Sequence, residues 1–185
     1  MTTTEIDKKI LELISNPDQQ NQALKLLIDT YQKRLYWQIR RIVINHDDAD
    51  DALQNTFIKA WQGLKNFSQN SSLFTWLYRI ATNEALQILR KKAQEKNISY
   101  EDVAAYLSNS LVSDPYFKGD EIQRKLQQAI LRLPEKQRIV FNMRYYDELS
   151  YEEIAEILDI SVGALKASYH HAVNKIEEYL LNQSQ

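Results

Sequence analysis

Apolar residues recur every three or four positions along most of this 185-residue chain, and few residues interrupt the pattern. Between residues 19 and 44, for example, Leu27, Tyr31 and Leu35 fall on one face of a helix. The chain has only three glycines and three prolines, the residues that most often break helices. No segment shows the two-residue alternation of a strand. The sequence therefore predicts an all-α protein.

The predicted helices fall into two groups. Residues 96–119 lose the helical period and contain the loop-forming tripeptides Ser-Asn-Ser, Ser-Asp-Pro and Lys-Gly-Asp. We therefore expect two small helical domains, residues 1–95 and 120–185, joined by a linker over residues 96–119. Four linker side chains are apolar enough to pack on a domain: Tyr106, Leu107, Tyr116 and Phe117. The helices are expected over about residues 5–14, 19–44, 47–64, 73–95, 120–132, 135–146 and 151–158, with a last helix after Ser161.

Short polar residues mark where several of these helices begin. Asp47 is a suitable N-cap for the helix over 47–64, and either Ser71 or Ser72 can cap the helix that follows. Pro134 fits a first helical position, where its missing N–H costs nothing. Ser150 and Glu153 have the spacing of a capping box, which predicts a helix start at Tyr151.

The last two predicted helices have the outline of a helix-turn-helix. Asp159 and Ile160 end the first helix, and Ser161 can cap the second. A helix-turn-helix uses the beginning of its second helix to contact base edges in the major groove of DNA. The alternative is a plain helical hairpin with a polar surface. The residues on the outer face of this helix start are Ala164, Lys166, Ala167, Ser168, His170 and His171.

Positive charge is concentrated in one segment of a chain whose net charge is −2. Residues 65–96 hold six basic and two acidic side chains, a net charge of +4, whereas residues 97–120 have a net charge of −3. A basic segment of this kind indicates contact with a polyanion. The alternative is a solvated helix end, where cations are favoured by the helix dipole.

Several classes of protein are disfavoured by what the sequence lacks. The chain has no cysteine, which excludes disulfides and thiolate metal sites, and two adjacent histidines without a third partner are a poor metal site. Three dispersed glycines cannot form a G-x-G-x-x-G loop, and no nucleophile has an adjacent base, so we expect no enzyme and no cofactor. The first residues lack the apolar core of a signal peptide, and no apolar run has membrane-spanning length. We expect a cytoplasmic protein.

Two segments resemble a known family. The segment "LPEKQRIVFNMRYYDELSYEEIAEILDISVGALKASYHHAVNKI" is similar to the fourth conserved region of extracytoplasmic-function (ECF) sigma factors, the minimal sigma-70-type subunits of bacterial RNA polymerase. The Leu-Pro pair, Arg138 and the "SYEEIA" and "SVGALK" motifs carry this resemblance. Independently, "DDADDALQNTFIKAWQGLKNF" followed by "SSLFTWLYRIATNEALQILRKK" resembles the second region. The two segments, in this order, cover most of the chain.

The resemblance implies that the helix over 47–64 docks on the clamp helices of core RNA polymerase. Helical spacing is consistent with this, because Leu53 and Phe57 turn inward and leave Ile58 for a partner. The family usually has glutamate where this chain has Asn55, and a solvated acidic helix is the alternative. The residues matching the polymerase-binding positions are Asp48, Asp51, Gln54, Asn55 and Ile58.

The resemblance also implies that residues 67–92 recognise and open the minus-ten promoter element. This chain departs from the family at Gln69, where glycine is common, and at Phe74 and Thr82, where basic residues are common. The residues matching the base-capturing loop are Phe67, Ser68, Gln69 and Asn70. Asn83 and Gln87 match positions that face promoter bases, and the expected phosphate contacts are Arg79, Arg90, Lys91 and Lys92. Trp76 is a candidate for base stacking, although its spacing favours a place in the core.

The second helix of the helix-turn-helix would read the minus-thirty-five element. The family's lysine-serine-arginine pattern is here Lys166-Ala167-Ser168, and His171 and Val173 stand where arginine is common. The expected DNA-contacting residues in this domain are Arg138, Arg144, Ser161, Ala164, Lys166, Ala167, Ser168, His170 and His171.

The expected partners are therefore core RNA polymerase, promoter DNA and, from the resemblance alone, an anti-sigma factor. The alternative function is a helix-turn-helix regulator that binds duplex DNA without polymerase.

Overall fold

A computed structural model describes residues 3–99, 102–114 and 121–182 of the chain, with the side chains of Thr3, Ala104 and Ser113 excepted. Within these residues the structure is helical and contains no strand, so the all-α prediction is confirmed. A 3-10 turn at Pro17–Gln19 separates the first two helices. The helices are α1 (Thr3–Ser15), α2 (Gln20–Val43), α3 (His46–Leu64), α4 (Leu73–Glu95), α5 (Val103–Ser113), α6 (Glu121–Leu131), α7 (Glu135–Tyr145), α8 (Tyr151–Leu158) and α9 (Val162–Asn182).

The first four helices form a bundle around α2. α3 and α4 pack on α2 and on each other, and α1 covers another side of α2. Leu27, Leu35 and Ile39 of α2 are fully buried, as are Leu77 and Ala81 of α4. Burying one such leucine contributes on the order of 2 kcal/mol, which makes this apolar stripe the main source of stability of the bundle.

Helices α6, α7 and α9 enclose a second, smaller core. Ile130, Phe141 and Ala172 are buried there, and the rings of Phe141 and Tyr169 stack with their centroids 5.7 Å apart. The helix-turn-helix consists of α8 and α9, and α8 packs between α9 and the first bundle. The C-terminal part therefore has the helix-turn-helix that the sequence predicts.

Part of the predicted linker is a helix. α5 buries Val103, Leu107 and Leu111, which lie four positions apart and join the core of the first bundle. Just after α5, the Asp114 carboxylate pairs with Arg40, whose side chain is fully buried in α2. The neighbouring serines and asparagine concealed this helical spacing in the sequence. Tyr116 and Phe117, also expected to pack, lie outside the described residues.

The residues that cap the helices are those predicted from the sequence at three helix starts, and they differ from the prediction at two. Ser72 caps α4, Ser161 caps α9, and Ser150 and Glu153 form the capping box of α8. The expected Asp47 cap is wrong, because α3 begins one residue earlier and the side chain of Asn45 accepts the N–H of Asp48 at 3.0 Å. Pro134 is likewise the N-cap residue of α7 rather than its first helical residue.

The two groups of helices are packed directly against each other. α8 lies on α4, α7 lies on α2, and one continuous apolar cluster contains buried residues from both groups, including Leu77, Ile139 and Ile157. Beside this cluster, Arg41 of α2 forms a nearly buried ion pair with Asp147, in the turn between α7 and α8. The polar contacts of the two groups therefore reinforce an apolar interface.

Candidate functional site

One exposed face of α3 brings together most of the predicted polymerase-binding residues. Asp51, Gln54 and Asn55 are exposed, and Ile58 keeps 49% of its surface accessible, unusual for a large apolar side chain. Asp51, Gln54 and Asn55 line a groove of about 250 Å³ between α3 and α4. The other residues that line this groove belong to α4: Glu84, Gln87, Ile88 and Lys91.

Asp48 differs from its neighbours on this face because its side chain is directed toward α4. It is 8% exposed, and its carboxylate accepts a hydrogen bond from Lys92. Partial burial lowers the pKa of Lys92, but the contacts with Asp48 and the nearby Tyr106 outweigh this effect and raise the pKa overall. As placed here, Asp48 and Lys92 join α3 to α4 rather than facing a partner or DNA.

A second ion pair joins the same two helices, and the sequence analysis did not predict it. Lys59 of α3 pairs with Glu84 of α4, whose side chain is almost fully buried. The two residues are separated by 25 positions, so no local spacing pattern could connect them. Together with Asp48 and Lys92, this pair joins α3 to α4 beside the groove.

The loop before α4 is supported by an aromatic contact. The rings of Phe67 and Trp76 lie with their centroids 5.1 Å apart, and both side chains are half-buried. Trp76 also covers Gly63, where an added Cβ would lie 3.0 Å from the indole ring. Both rings thus pack on the bundle, as the spacing of Trp76 suggested. The exposed tip of the loop consists of Ser68, Gln69 and Asn70.

Gln69 occupies a backbone conformation that favours glycine. Its φ angle is 57°, in the left-handed region that side chains with a Cβ rarely adopt. The family commonly has glycine at this position, and the geometry supplies a physical reason for that preference. In this chain Gln69 adopts this conformation at a cost in backbone strain.

The predicted DNA-contacting residues of α4 are divided between two sides of the helix. Arg79 and Asn83 line a cavity of about 450 Å³ between α4 and the helix-turn-helix. Gln87 and Lys91 instead line the groove shared with α3. Arg90 is exposed, and Lys91 makes a solvent-exposed ion pair with Glu95 at 3.8 Å.

Arg79 already has partners on α8. Its guanidinium donates from Nε to the carbonyl oxygen of Ile157 at 3.2 Å, and from Nη2 to the carbonyl oxygen of Glu156. These are contacts to the last turn of the first helix of the helix-turn-helix. In this arrangement α8 occupies the side of α4 on which a phosphate contact of Arg79 is expected.

The outer face of α9 presents the predicted set near its N-terminus. Lys166 is exposed, and its Nζ lies 5.8 Å from the centre of the Tyr151 ring. His170 is exposed, with a ring nitrogen 3.2 Å from the side-chain nitrogen of Asn174, and His171 is exposed beside it. Ala164 and Ala167 are exposed between these side chains, and Ser168 is half-buried.

Of two arginines expected near DNA, one is buried and the other is half-buried. Arg138 is 3% exposed, and burial lowers its pKa although the Glu135 carboxylate opposes this effect. Arg144 is half-buried, donates to the carbonyl oxygen of Leu149 and lies 4.8 Å from the centre of the Tyr151 ring. Arg138 therefore does not belong to the accessible face, and the guanidinium of Arg144 is engaged within the domain. Tyr151 is a supporting residue that the sequence did not indicate.

Neither a metal cluster nor a membrane helix is found in the described ranges 3–99, 102–114 and 121–182. No group of three or more His, Asp or Glu side chains in them is arranged to hold a metal ion. None of their helices combines the length and apolar character needed to cross a membrane.

Comparison with known families matches both halves of the chain. Residues 27–95 match the family described as sigma-70 region 2, and residues 123–176 match sigma-70 region 4. The ECF RNA polymerase sigma factor SigW of Bacillus subtilis is 33% identical, with 94% of this chain and 96% of that protein aligned. The RNA polymerase sigma-H factor of Pseudomonas aeruginosa is 31% identical, with 97% of this chain and 96% of that protein aligned.

Solved structures support the same grouping. The sigma factor RpoE of Bartonella quintana, determined in complex with the anti-sigma factor NepR, superposes with a TM-score of 0.66 at 25% identity, covering 84% of this chain and 95% of that one. CnrH, determined in complex with the cytosolic domain of CnrY, shares the fold with a TM-score of 0.68 at 21% identity. The superposition covers 97% of this chain and 99% of that one.

Two sigma-70 regions on one all-helical chain define a protein of transcription initiation. The chain belongs to the ECF sigma factors of the sigma-70 family. It is a promoter-specific initiation factor that binds RNA polymerase. The alternative of a helix-turn-helix regulator that acts without polymerase is not favoured, because residues 27–95 match sigma-70 region 2.

The strain at Gln69 can be measured. We expect Gln69→Gly to raise the free energy of unfolding by about 1 kcal/mol, because glycine adopts the left-handed conformation without a Cβ clash. Gln32→Gly, at an exposed position inside α2, should lower it by about 1 kcal/mol. Urea denaturation followed by circular dichroism measures both changes. A loss of stability in Gln69→Gly as large as in Gln32→Gly would contradict the strain.

Proposed function

We propose that the exposed face of α3 is the surface that docks on core RNA polymerase. The observation that carries this proposal is the exposure of Asp51, Gln54, Asn55 and Ile58 on one face of a helix whose opposite face is buried. An apolar side chain surrounded by hydrogen-bonding groups is typical of a protein interface. Asp48 supports this surface from behind by holding α3 against α4.

We also propose that α4 and the loop before it recognise and open the minus-ten element. Opening requires a pocket for an extruded base and cations along the exposed strand. Ser68, Gln69 and Asn70 form an exposed loop tip supported by Phe67, and the exposed Asn83 and Gln87 can reach bases. The phosphate contacts would come from Arg79, Arg90, Lys91 and Lys92, of which Lys92 must first leave Asp48.

The outer face of α9 is proposed to read the minus-thirty-five element. Lys166, His170 and His171 are its exposed polar side chains, with Ala164 and Ala167 between them and Ser161 and Ser168 at its edge. The buried Arg138 and the half-buried Arg144 would act by shaping the domain. With so few cations, this domain alone should bind DNA weakly. Neutralisation of the phosphate charges supplies most of the non-specific affinity of proteins for DNA.

The partners of the protein follow from its class. The solved relative from Bartonella quintana is bound to an anti-sigma factor, and we propose that this chain too has an anti-sigma partner. We also propose that it acts in the cytoplasm, with RNA polymerase. We propose no covalent chemistry and no cofactor for it, because its work consists of binding and positioning.

Run-off transcription with core polymerase tests the whole assignment. We expect a promoter-specific transcript that depends on this chain, with the region upstream of its own gene as the first template. If the chain binds duplex DNA but neither co-purifies with polymerase nor supports a transcript, the polymerase-free regulator becomes the better explanation.

The α3 surface can be tested by a double substitution. Asp51→Arg with Gln54→Ala reverses a charge and removes an amide at exposed positions, so we expect binding to core polymerase to weaken at least about tenfold with the fold intact. Asp29→Arg with Gln32→Ala is the matched control, with the same residue types and spacing on an exposed part of α2. Equal binding by the two double variants in a polymerase titration would refute the proposed surface.

The α9 surface can be tested through salt dependence. Lys166→Ala should weaken binding of the polymerase complex to upstream promoter DNA and reduce the salt slope of the affinity by about one unit. Lys175→Ala removes the same charge from the same helix, at an exposed position next to Gln137, and should leave the slope unchanged. A slope that does not change in Lys166→Ala would remove Lys166 from the DNA contacts.

A further inference from the structure

A groove of about 590 Å³ lies between α2 and the turn that joins α7 to α8. One wall is a side of α2, and the other wall consists of Tyr146, Asp147 and Glu148. A cavity of this volume is in the range that small-molecule sites occupy in proteins. None of its lining residues belongs to the proposed polymerase surface or to the proposed DNA contacts. The groove is therefore a candidate site for another ligand.

The α2 wall of this groove carries three cations, Lys33, Arg34 and Arg41. Lys33 and Arg34 are exposed, and neither forms a hydrogen bond or an ion pair with a residue in the described part of the chain. The guanidinium of Arg34 lies 4.0 Å from the centre of the Phe74 ring, a contact that orients its plane and leaves its N–H groups for a ligand. Ammonium and guanidinium groups bind phosphate through charge-assisted hydrogen bonds. The α2 wall is therefore suited to a phosphate group.

Two aromatic side chains lie in the same groove, one on each wall. Trp37 of α2 and Tyr146 of the turn are both half-buried, so part of each ring remains accessible. Trp37 packs edge-to-face on Tyr36 with ring centroids 5.4 Å apart, and the Tyr146 hydroxyl accepts a hydrogen bond from Gln127 at 2.7 Å. These contacts hold the rings in place. An aromatic ring held in this way is a platform on which a nucleobase can stack.

The turn adds two carboxylates, and they differ in their surroundings. Asp147 is 5% exposed and pairs with Arg41, so its charge is compensated within the protein. Glu148 is exposed at the edge of the groove. A carboxylate repels phosphate, but its two oxygens accept two parallel N–H donors. Guanine offers such a pair on its ring N1 and its exocyclic amine, whereas adenine offers only its amine. Glu148 therefore favours guanine on the turn side of the groove.

We propose that this groove binds a guanine nucleotide with two or three phosphates. The phosphates contact Lys33 and Arg34, the base packs against Trp37 and Tyr146, and the edge of the base donates to Glu148. The proposal goes beyond binding of polymerase and promoter, because it uses none of the residues assigned to those surfaces. A nucleotide in this groove contacts both groups of helices, so its binding also stabilises the folded chain by mass action.

Isothermal titration of the full chain with three probes tests the chemistry of the site. We expect GTP to bind, and ATP to bind several-fold more weakly because it lacks the paired donors for Glu148. Inorganic tripolyphosphate carries the phosphates without a base, and we expect it to bind at least about tenfold more weakly than GTP, since base–aromatic stacking contributes substantially to affinity. GTP should also raise the melting temperature of the chain in a concentration-dependent way.

A double substitution tests the phosphate end of the groove. Lys33→Ala with Arg34→Ala should weaken GTP binding at least about tenfold, because both free cations are removed. Lys8→Ala with Lys9→Ala is the matched control, since it removes two adjacent exposed cations from α1, outside the groove. If the loss of the Arg34 contact with Phe74 prevents folding, as judged by circular dichroism, Lys33→Gln alone decides by the same titration.

Two single substitutions test the base end. Trp37→Leu should weaken GTP binding and leave tripolyphosphate binding unchanged, because it removes a stacking surface and no charge. Glu148→Gln should abolish the preference for GTP over ATP, because a neutral amide offers only one acceptor oxygen. Both variants keep the cations of α2, so a loss of tripolyphosphate binding in either would contradict the assigned positions.

Each remaining outcome also decides the proposal. Absence of GTP binding, or equal weakening by the two double variants, overturns the site. Equal binding of GTP and tripolyphosphate overturns base recognition and leaves a cation cluster that takes any phosphate. If a short duplex of random sequence binds as tightly as GTP and loses this affinity in Lys33→Ala with Arg34→Ala, the groove is a DNA contact and the nucleotide site is refuted.

Discussion

Two adjacent arginines of α2, one buried and one largely buried, pair with carboxylates from outside the first four helices. Arg40 pairs with Asp114 at the end of α5, and Arg41 pairs with Asp147 before α8. An unpaired charge at either position would be costly to bury, so the linker segment and the second domain are held where their carboxylates can meet these cations. These ion pairs reinforce the apolar interface in which α8 packs directly on α4.

The same arrangement sets which functional surfaces are accessible. The ion pairs Asp48–Lys92 and Lys59–Glu84 fix α3 against α4 and leave the face around Ile58 open to a partner. The opposite side of α4, with Arg79, is covered by α8. The proposed polymerase-docking surface is thus accessible, whereas Arg79, on the proposed promoter-reading side of α4, is covered. The outer face of α9, proposed to read the minus-thirty-five element, also remains accessible.

Much of the local structure could be predicted because it depends on residues close together in the sequence. The capping box of Ser150 and Glu153 and the inward stripe of α2 follow from spacing alone. The helix α5 was missed because its three buried positions are embedded among serine and asparagine, and its stability comes from packing on the bundle. The cap of α3 was misplaced by two residues because Asn45, His46 and Asp47 form a run of polar residues in which two members can cap a helix.

By itself the sequence determined the helical class, the order of the two sigma regions and the residue types on the outer faces of α3 and α9. These features follow from periodicity, capping and motif spacing within single segments. Only the tertiary structure decided that Arg138 is buried, that Lys92 faces Asp48 and that Arg79 caps α8. The partners of Lys92 and Arg79 lie 44 and 77 positions away in the sequence, and they meet only when the apolar faces of the helices are buried together.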